Sequence, residues 1–190
     1  MLEWRLLRDH IPMALKATIY KAELQISDLD RNYYETHAIT LARHPSENDL
    51  RMVVRMLAFV LNAHEQLDFG KGLSDEDDAA LWQKNYTGEI EHWIDVGRPD
   101  EDRIRRASAR AKDVSVYSYG DNACDMWWQA IEPKLSRFSN VRLWRFRDQE
   151  LEPLVALTQR NMHWQCTLQD GHLFLHIDGQ SLTIQPEPLG

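Results

Sequence analysis

The apolar and polar positions of the chain alternate with two different periods, and the changes of period mark out its elements. Residues 16–27, KATIYKAELQIS, are rich in β-branched and apolar side chains with partial alternation, which predicts a strand. Residues 34–42, YETHAITLA, predict a second strand, paired with the first across the DLDRN turn. The period then becomes helical. Leu50, Val53, Val54, Leu57, Val60 and Leu61 recur at helix spacing and predict a helix over residues 46–65. Ser46 followed by Asp49 resembles a capping box, with Pro45 just outside it.

Shorter signals follow. LDFGKGLS (67–74) predicts a short strand, and AALWQK and HWIDVG predict two more. PDEDRIRRASARAK (99–112) predicts a helix, with Pro99 near its first position, acids in its opening turn and basic residues later. DVSVYSYG (113–120) predicts a strand, residues 124–138 a helix broken near Pro133, VRLWRF (141–146) a strand and residues 149–160 a helix. The last stretch alternates through turns at Asp170-Gly171 and Asp178-Gly179, the pattern of a three-stranded antiparallel meander. The expectation is a mixed α/β domain, a mixed sheet with flanking helices and a C-terminal three-stranded β-meander.

Composition narrows the class. A chain of 190 residues that is 43% hydrophobic suffices for one domain with its own core. No apolar run approaches the roughly 18–20 residues a membrane helix needs. Cys124 and Cys166 have no CxxC spacing and read as reduced thiols of a cytoplasmic protein. Residues 1–12 read as an extension ahead of Met13, with an ordinary native N-terminal segment as the alternative, and a single domain covers 13–190. The net charge of −8 argues against bulk attraction to nucleic acid, though a nuclease needs carboxylates and only a local basic strip.

The chemistry centres on HWIDVGRPDEDRIRRA, residues 92–107. In an extended strand Trp93, Asp95 and Gly97 share one face, and His92, Ile94 and Val96 the other. A carboxylate among apolar neighbours has to be paired, metal-bound or at the strand's exposed end, because burying it alone is costly. Arg103, Arg106 and Arg110 follow at helical spacing, as a phosphate-holding face or as an ordinary solvated one. Glu47, just after Ser46, is either a site acid or a first-turn acid that stabilises its helix. His172 and His176 lie about 13 Å apart if extended, too far to share one ion. No nucleophile elbow, P-loop or dinucleotide fingerprint is present in the sequence.

Several segments in order, MALKATIYKAELQISDLDR, LARHPSENDLRMVVRMLAF, FGKGLS, HWIDVGRPDEDRIRRA and the Trp127-Trp128 pair, resemble the YaeQ family over essentially residues 13–190. That resemblance implies a variant of the PD-(D/E)XK, restriction-endonuclease-like core. It implies a helix acid at Glu47, a strand acid and metal ligand at Asp95, Gly97 where lysine stands in such nucleases, and a displaced basic residue at Arg106. The pattern departs at the second acid: family members tend to read acid-Pro-acid, whereas this chain has Asp78, Ala79 and Ala80. Asp78 is the surviving candidate for a second metal ligand. The resemblance implies Mg²⁺ or Mn²⁺ and cleavage of phosphodiester bonds in nucleic acid. The alternative is a module without catalysis that binds nucleic acid or protein, and arginine at 106 favours it because a guanidinium holds phosphate but cannot take a proton.

Overall fold

The computed structural model describes residues 16–71 and 77–190, so the expected 1–12 extension lies outside the described residues. Two sheets organise the molecule. The smaller sheet holds β1 (Thr18–Asp28), β2 (Tyr33–Arg43), β8 (Asn161–Gln169), β9 (His172–Ile177) and β10 (Gln180–Ile184), in the order β10-β9-β8-β1-β2. Its neighbours are antiparallel except β1 and β8, which run parallel with Lys21 opposite Asn161. The expected meander is β8-β9-β10, and its strand faces alternate between buried and exposed as the sequence alternates.

The larger sheet comprises β3 (Leu67–Phe69), β4 (Leu81–Lys84), β5 (Ile90–Val96), β6 (Ala111–Ser118), β7 (Val141–Arg145) and β11 (Glu187–Leu189), in the order β11-β7-β6-β5-β4-β3. β5, β6 and β7 are mutually parallel. Parallel neighbours need crossovers, which α2 (Glu101–Arg110) and α3 (Asp121–Leu135) supply. Ile104 and Ala107 of α2, with Ile131 and Leu135 of α3, cover one face of this sheet against Trp93, Val114, Val116 and Leu143.

α1 (Asp49–Leu61) and α4 (Asp148–Ala156) cover its opposite face and also pack on the smaller sheet. One core joins Leu24, Trp164 and Leu175 of the smaller sheet, Met56 and Leu57 of α1, Leu151 and Leu154 of α4, and Ile94, Val96, Tyr117 and Phe146 on the larger-sheet side. The layers therefore run helices, sheet, helices, sheet. A helix between two sheets must be apolar all round, and every residue from Met52 to Val60 of α1 is buried.

Several elements differ from expectation, among them α4, which ends at Ala156 rather than at residue 160. α1 spans a shorter range than 46–65, and its cap is Asn48, whose side chain accepts the Arg51 N–H at 2.9 Å. Ser46 turns instead to His44 Nδ1, 2.6 Å away. α3 runs through Pro133 without a break, because proline in a last turn forfeits only one helical hydrogen bond. β11, too short and proline-bearing to show a period, pairs with β7 at the edge of the larger sheet.

Candidate functional site

Asp95 sits near the end of β5, on the face turned to α2, and is 3% exposed. Its alternation is the one the sequence predicts: Trp93 packs against Ala107 on this face, while Ile94 and Val96 enter the core shared with α1. α2 starts just beyond the strand end, capped by the Asp100 side chain, which accepts the Arg103 N–H at 2.8 Å. That cap places Arg103 in the first turn, over the carboxylate. Arg103 Nε donates to Asp95 Oδ2 and Nη2 to Asp95 Oδ1, each at 2.7 Å, so the guanidinium takes both oxygens in a fork. Nη2 also donates to the Asp78 carbonyl at 2.7 Å. Burial opposes the charge of Arg103, but the hydrogen bonds and charge of Asp95, with Asp100 and Asp77 behind it, hold its pKa above the ordinary arginine value.

Asp78 is brought to this place by a close backbone contact. Gly70, at the exit of β3, donates its N–H to the Ala80 carbonyl at 3.0 Å. A Cβ on Gly70 would lie 2.0 Å from the Ala79 carbonyl oxygen, so only glycine permits the approach. The Asp78 carboxylate accepts the N–H of Lys71 at 3.2 Å. Asp78 and Asp95 thus adjoin through Arg103, which binds the main chain of one and the side chain of the other. Ala79 and Ala80, where the resemblance implies proline and a second acid, are buried on opposite sides of the sheet.

Arg106 lies one turn farther along α2 and is half-exposed, and its Nη1 reaches Asp77 Oδ1 at 3.4 Å. The structure brings Arg106 to Asp77, and Arg103 to Asp95. Arg103 and Arg110 instead flank the Trp93 ring, their guanidinium carbons 5.8 and 5.1 Å from its centroid. Gly97 has φ of 107°, a left-handed conformation that disfavours any side chain, with open space where a Cβ would point. Backbone conformation therefore accounts for glycine at the position where the resemblance implies lysine.

Glu47 belongs to the other face. It is 4% exposed at the head of α1. Arg55 grips it with Nε to Oε1 and Nη2 to Oε2, both 2.8 Å, and Arg51 Nη1 adds a third bond to Oε1 at 2.7 Å. Burial pushes the Arg55 pKa down, and the charge of Glu47 pulls it back. The sequence reading missed Arg55, yet two arginines four residues apart, Arg51 and Arg55, in the otherwise apolar LRMVVRMLAFVL signal a buried acid partner.

A divalent cation of the magnesium class is held by carboxylate and carbonyl oxygens with room for water. Here both Asp95 oxygens and the Asp78 carbonyl already face one guanidinium, and the Asp78 carboxylate is hydrogen-bonded to backbone. Among the described residues no group of three His, Cys, Asp or Glu side chains could hold a metal ion. The residues as arranged do not fit Mg²⁺ or Mn²⁺. Among the described residues, too, no helix is long and apolar enough to cross a membrane.

Comparison with known proteins agrees at the level of family. The family pattern described as YaeQ protein matches residues 13–186. A Salmonella typhi protein named "Uncharacterized protein YaeQ" is 44% identical over 173 residues, 91% of this chain and 96% of the relative. Its Escherichia coli K12 namesake is 41% identical over 172 residues, 90% and 95% of the two chains. The crystal structure of YaeQ protein from Xanthomonas axonopodis pv. citri superposes with a TM-score of 0.87 at 45% identity, covering 90% of this chain and 97% of that one. The Pseudomonas syringae YaeQ crystal structure gives 0.88 at 38% identity, covering 92% and 96%. The chain belongs to the YaeQ family.

Proposed function

For this member of the YaeQ family we propose a binding module that retains a nuclease-like core and has replaced metal chemistry with an internal ion pair. The mixed α/β arrangement of α1, β3, β4, β5, α2 and β6 agrees with the α/β core that the PD-(D/E)XK resemblance implies, and it supports descent from such a core. The observation that carries the reading is the forked Asp95–Arg103 pair. A nuclease of this class needs two acids around a cation that lowers the pKa of bound water. Here the strand acid holds a guanidinium, which stays protonated and cannot act as a base. The position of the second acid is Ala80, a core residue, where a carboxylate would meet the apolar interior rather than solvent.

The partner that this surface fits better is a protein. Two of the three exposed arginines of α2 already face acids, Arg105 with Asp102 at 2.9 Å and Arg106 with Asp77 at 3.4 Å, and Arg110 donates to the Asp77 carbonyl at 3.2 Å, which weakens the local basic strip a duplex would need. The net charge of −8 works in the same direction.

Calorimetric titration with MnCl₂ and MgCl₂, beside a plasmid-nicking assay, tests the reading. The expected result is no saturable heat and no nicking by the wild-type chain. Manganese binding and nicking that both vanish in Asp95→Asn would overturn it in favour of a metal-dependent nuclease. Metal-independent duplex binding that weakens steeply with salt would overturn the choice of a protein partner.

A further inference from the structure

A cleft opens where the parallel strands end, on the α1 side of the larger sheet. Open α/β sheets bind ligands in such crevices, outside the carboxyl ends of their strands. The cavity measures about 450 Å³, a size for a small organic molecule. Leu50 from α1, Ala123 from α3, and Leu151 and Val155 from α4 give it aliphatic walls.

Its polar groups are few and unequal. Tyr119 continues the β6 alternation of Ser115 and Tyr117 and packs against the α1-side core. Arg98 Nη1 donates to the Tyr119 carbonyl at 2.6 Å, and the guanidinium carbon lies 5.8 Å from the Tyr119 ring centroid. The remaining N–H groups of Arg98 and the Tyr119 hydroxyl have no hydrogen-bond partner among the described residues. Asp148, also on the wall, is committed elsewhere: its two oxygens accept the N–H groups of Gly120 and Asp121, both at 3.0 Å, closing the start of α3. Glu152 stands exposed at the rim.

Charge selects the ligand class. Arg98 is the cation on the cleft wall, its guanidinium beside the Tyr119 ring. An ammonium group at that spot would meet the Arg98 guanidinium. A dianion such as phosphate would bring a second negative charge toward Asp148 and Glu152. We infer that the cleft takes a small monocarboxylate with an apolar body, its carboxylate on Arg98 and the Tyr119 hydroxyl and its body against Leu50, Leu151 and Val155. The inference is independent of the Asp95–Arg103 pair, which lies on the α2 face of the sheet.

Calorimetric titration of the full chain with octanoate, 1-octanol and inorganic phosphate tests it. Octanoate is expected to bind with a dissociation constant below about 1 mM, and octanol and phosphate at least about tenfold more weakly. Arg98→Leu and Tyr119→Phe should each weaken octanoate about five- to tenfold, with unfolding midpoints near wild type. Ala123→Trp, which fills the cleft from an exposed position, should abolish binding. Octanoate binding no tighter than octanol would overturn the inference, as would affinity unchanged by both Arg98→Leu and Tyr119→Phe. Those two variants decide the matter even if Ala123→Trp fails to fold.

Discussion

Glu47 and Asp95 are both buried acids held by arginine, on opposite sides of one sheet, and they differ in how far water can reach them. Arg55, the main partner of Glu47, has a side chain only 2% exposed, whereas that of Arg103 beside Asp95 is 23% exposed. The first pair sits in the interlayer core, where removing either charge strands the other in an apolar medium. The second pair sits at a sheet end, where a vacated carboxylate can be rehydrated. The same pairing chemistry is thus an internal brace in one place and a plug at a rim in the other.

The strongest way to break this comparison is Glu47→Ala. It leaves Arg55 charged and buried, and should lower unfolding free energy by about 3–5 kcal/mol in urea denaturation. The double variant Glu47→Leu with Arg55→Met should recover most of that loss, because a buried ion pair gains little over a well-packed apolar pair. Recovery failing in the double variant would show that Glu47 acts through more than its arginines.

Arg103→Met comes next. Removing the plug should cost about 1–3 kcal/mol, less than Glu47→Ala, since the acceptors it leaves, Asp95 and the Asp78 carbonyl, lie where water can reach them. Calorimetry of the same variant should still show no manganese binding, because one carboxylate does not make a site for a hard cation. A bound Mn²⁺ in Arg103→Met would mean that the plug hides a working donor set.

The α1 face also carries the titrating group of β5. His92 is bonded to Ser115 Oγ at 2.8 Å, and burial pushes its pKa down, with Asp113 opposing. The folded chain therefore binds this proton less readily than the unfolded chain does. Its contribution to stability is full above the unfolded pKa near 6.5 and is lost as pH falls toward the lower folded value. Urea midpoints of His92→Gln should fall less between pH 7.5 and pH 5 than those of wild type; a part of the dependence should remain from His37, whose pKa burial also lowers. The smallest effect belongs to Arg106→Ala. Its exposed pair with Asp77 should contribute no more than about 0.5 kcal/mol, within reach of a careful denaturation comparison.

The residues differ in how legible they were. The alternation of β5 reads directly from HWIDV, because period two fixes which side chains share a face. The meander reads from its two Asp-Gly turns for a similar local reason. The partner of Asp95 does not read so simply. Arg103, Arg106 and Arg110 share one helical stripe, and only the cap at Asp100 decides which of them overlies the strand end. Once α2 is known to begin at Glu101 and to run back along β5, Arg103 follows, and Arg106 lies about 4.5 Å too far along. The caging of Glu47 needed its surroundings: a first-turn acid looks the same in solvent as under a second sheet. The cleft at Tyr119 gathers residues from four separate elements, and no local pattern announces it.

The pairing of β1 with β8 ties the opening strand of the fold to one near its close, Lys21 beside Asn161. During synthesis the first strand leaves the ribosome long before its neighbour exists, and the β1-β2 hairpin must meanwhile tolerate an open edge and a bare apolar side. Final closure over α1 therefore waits for release of the carboxyl end, and a chain stalled before β8 is a natural client for chaperones and proteases.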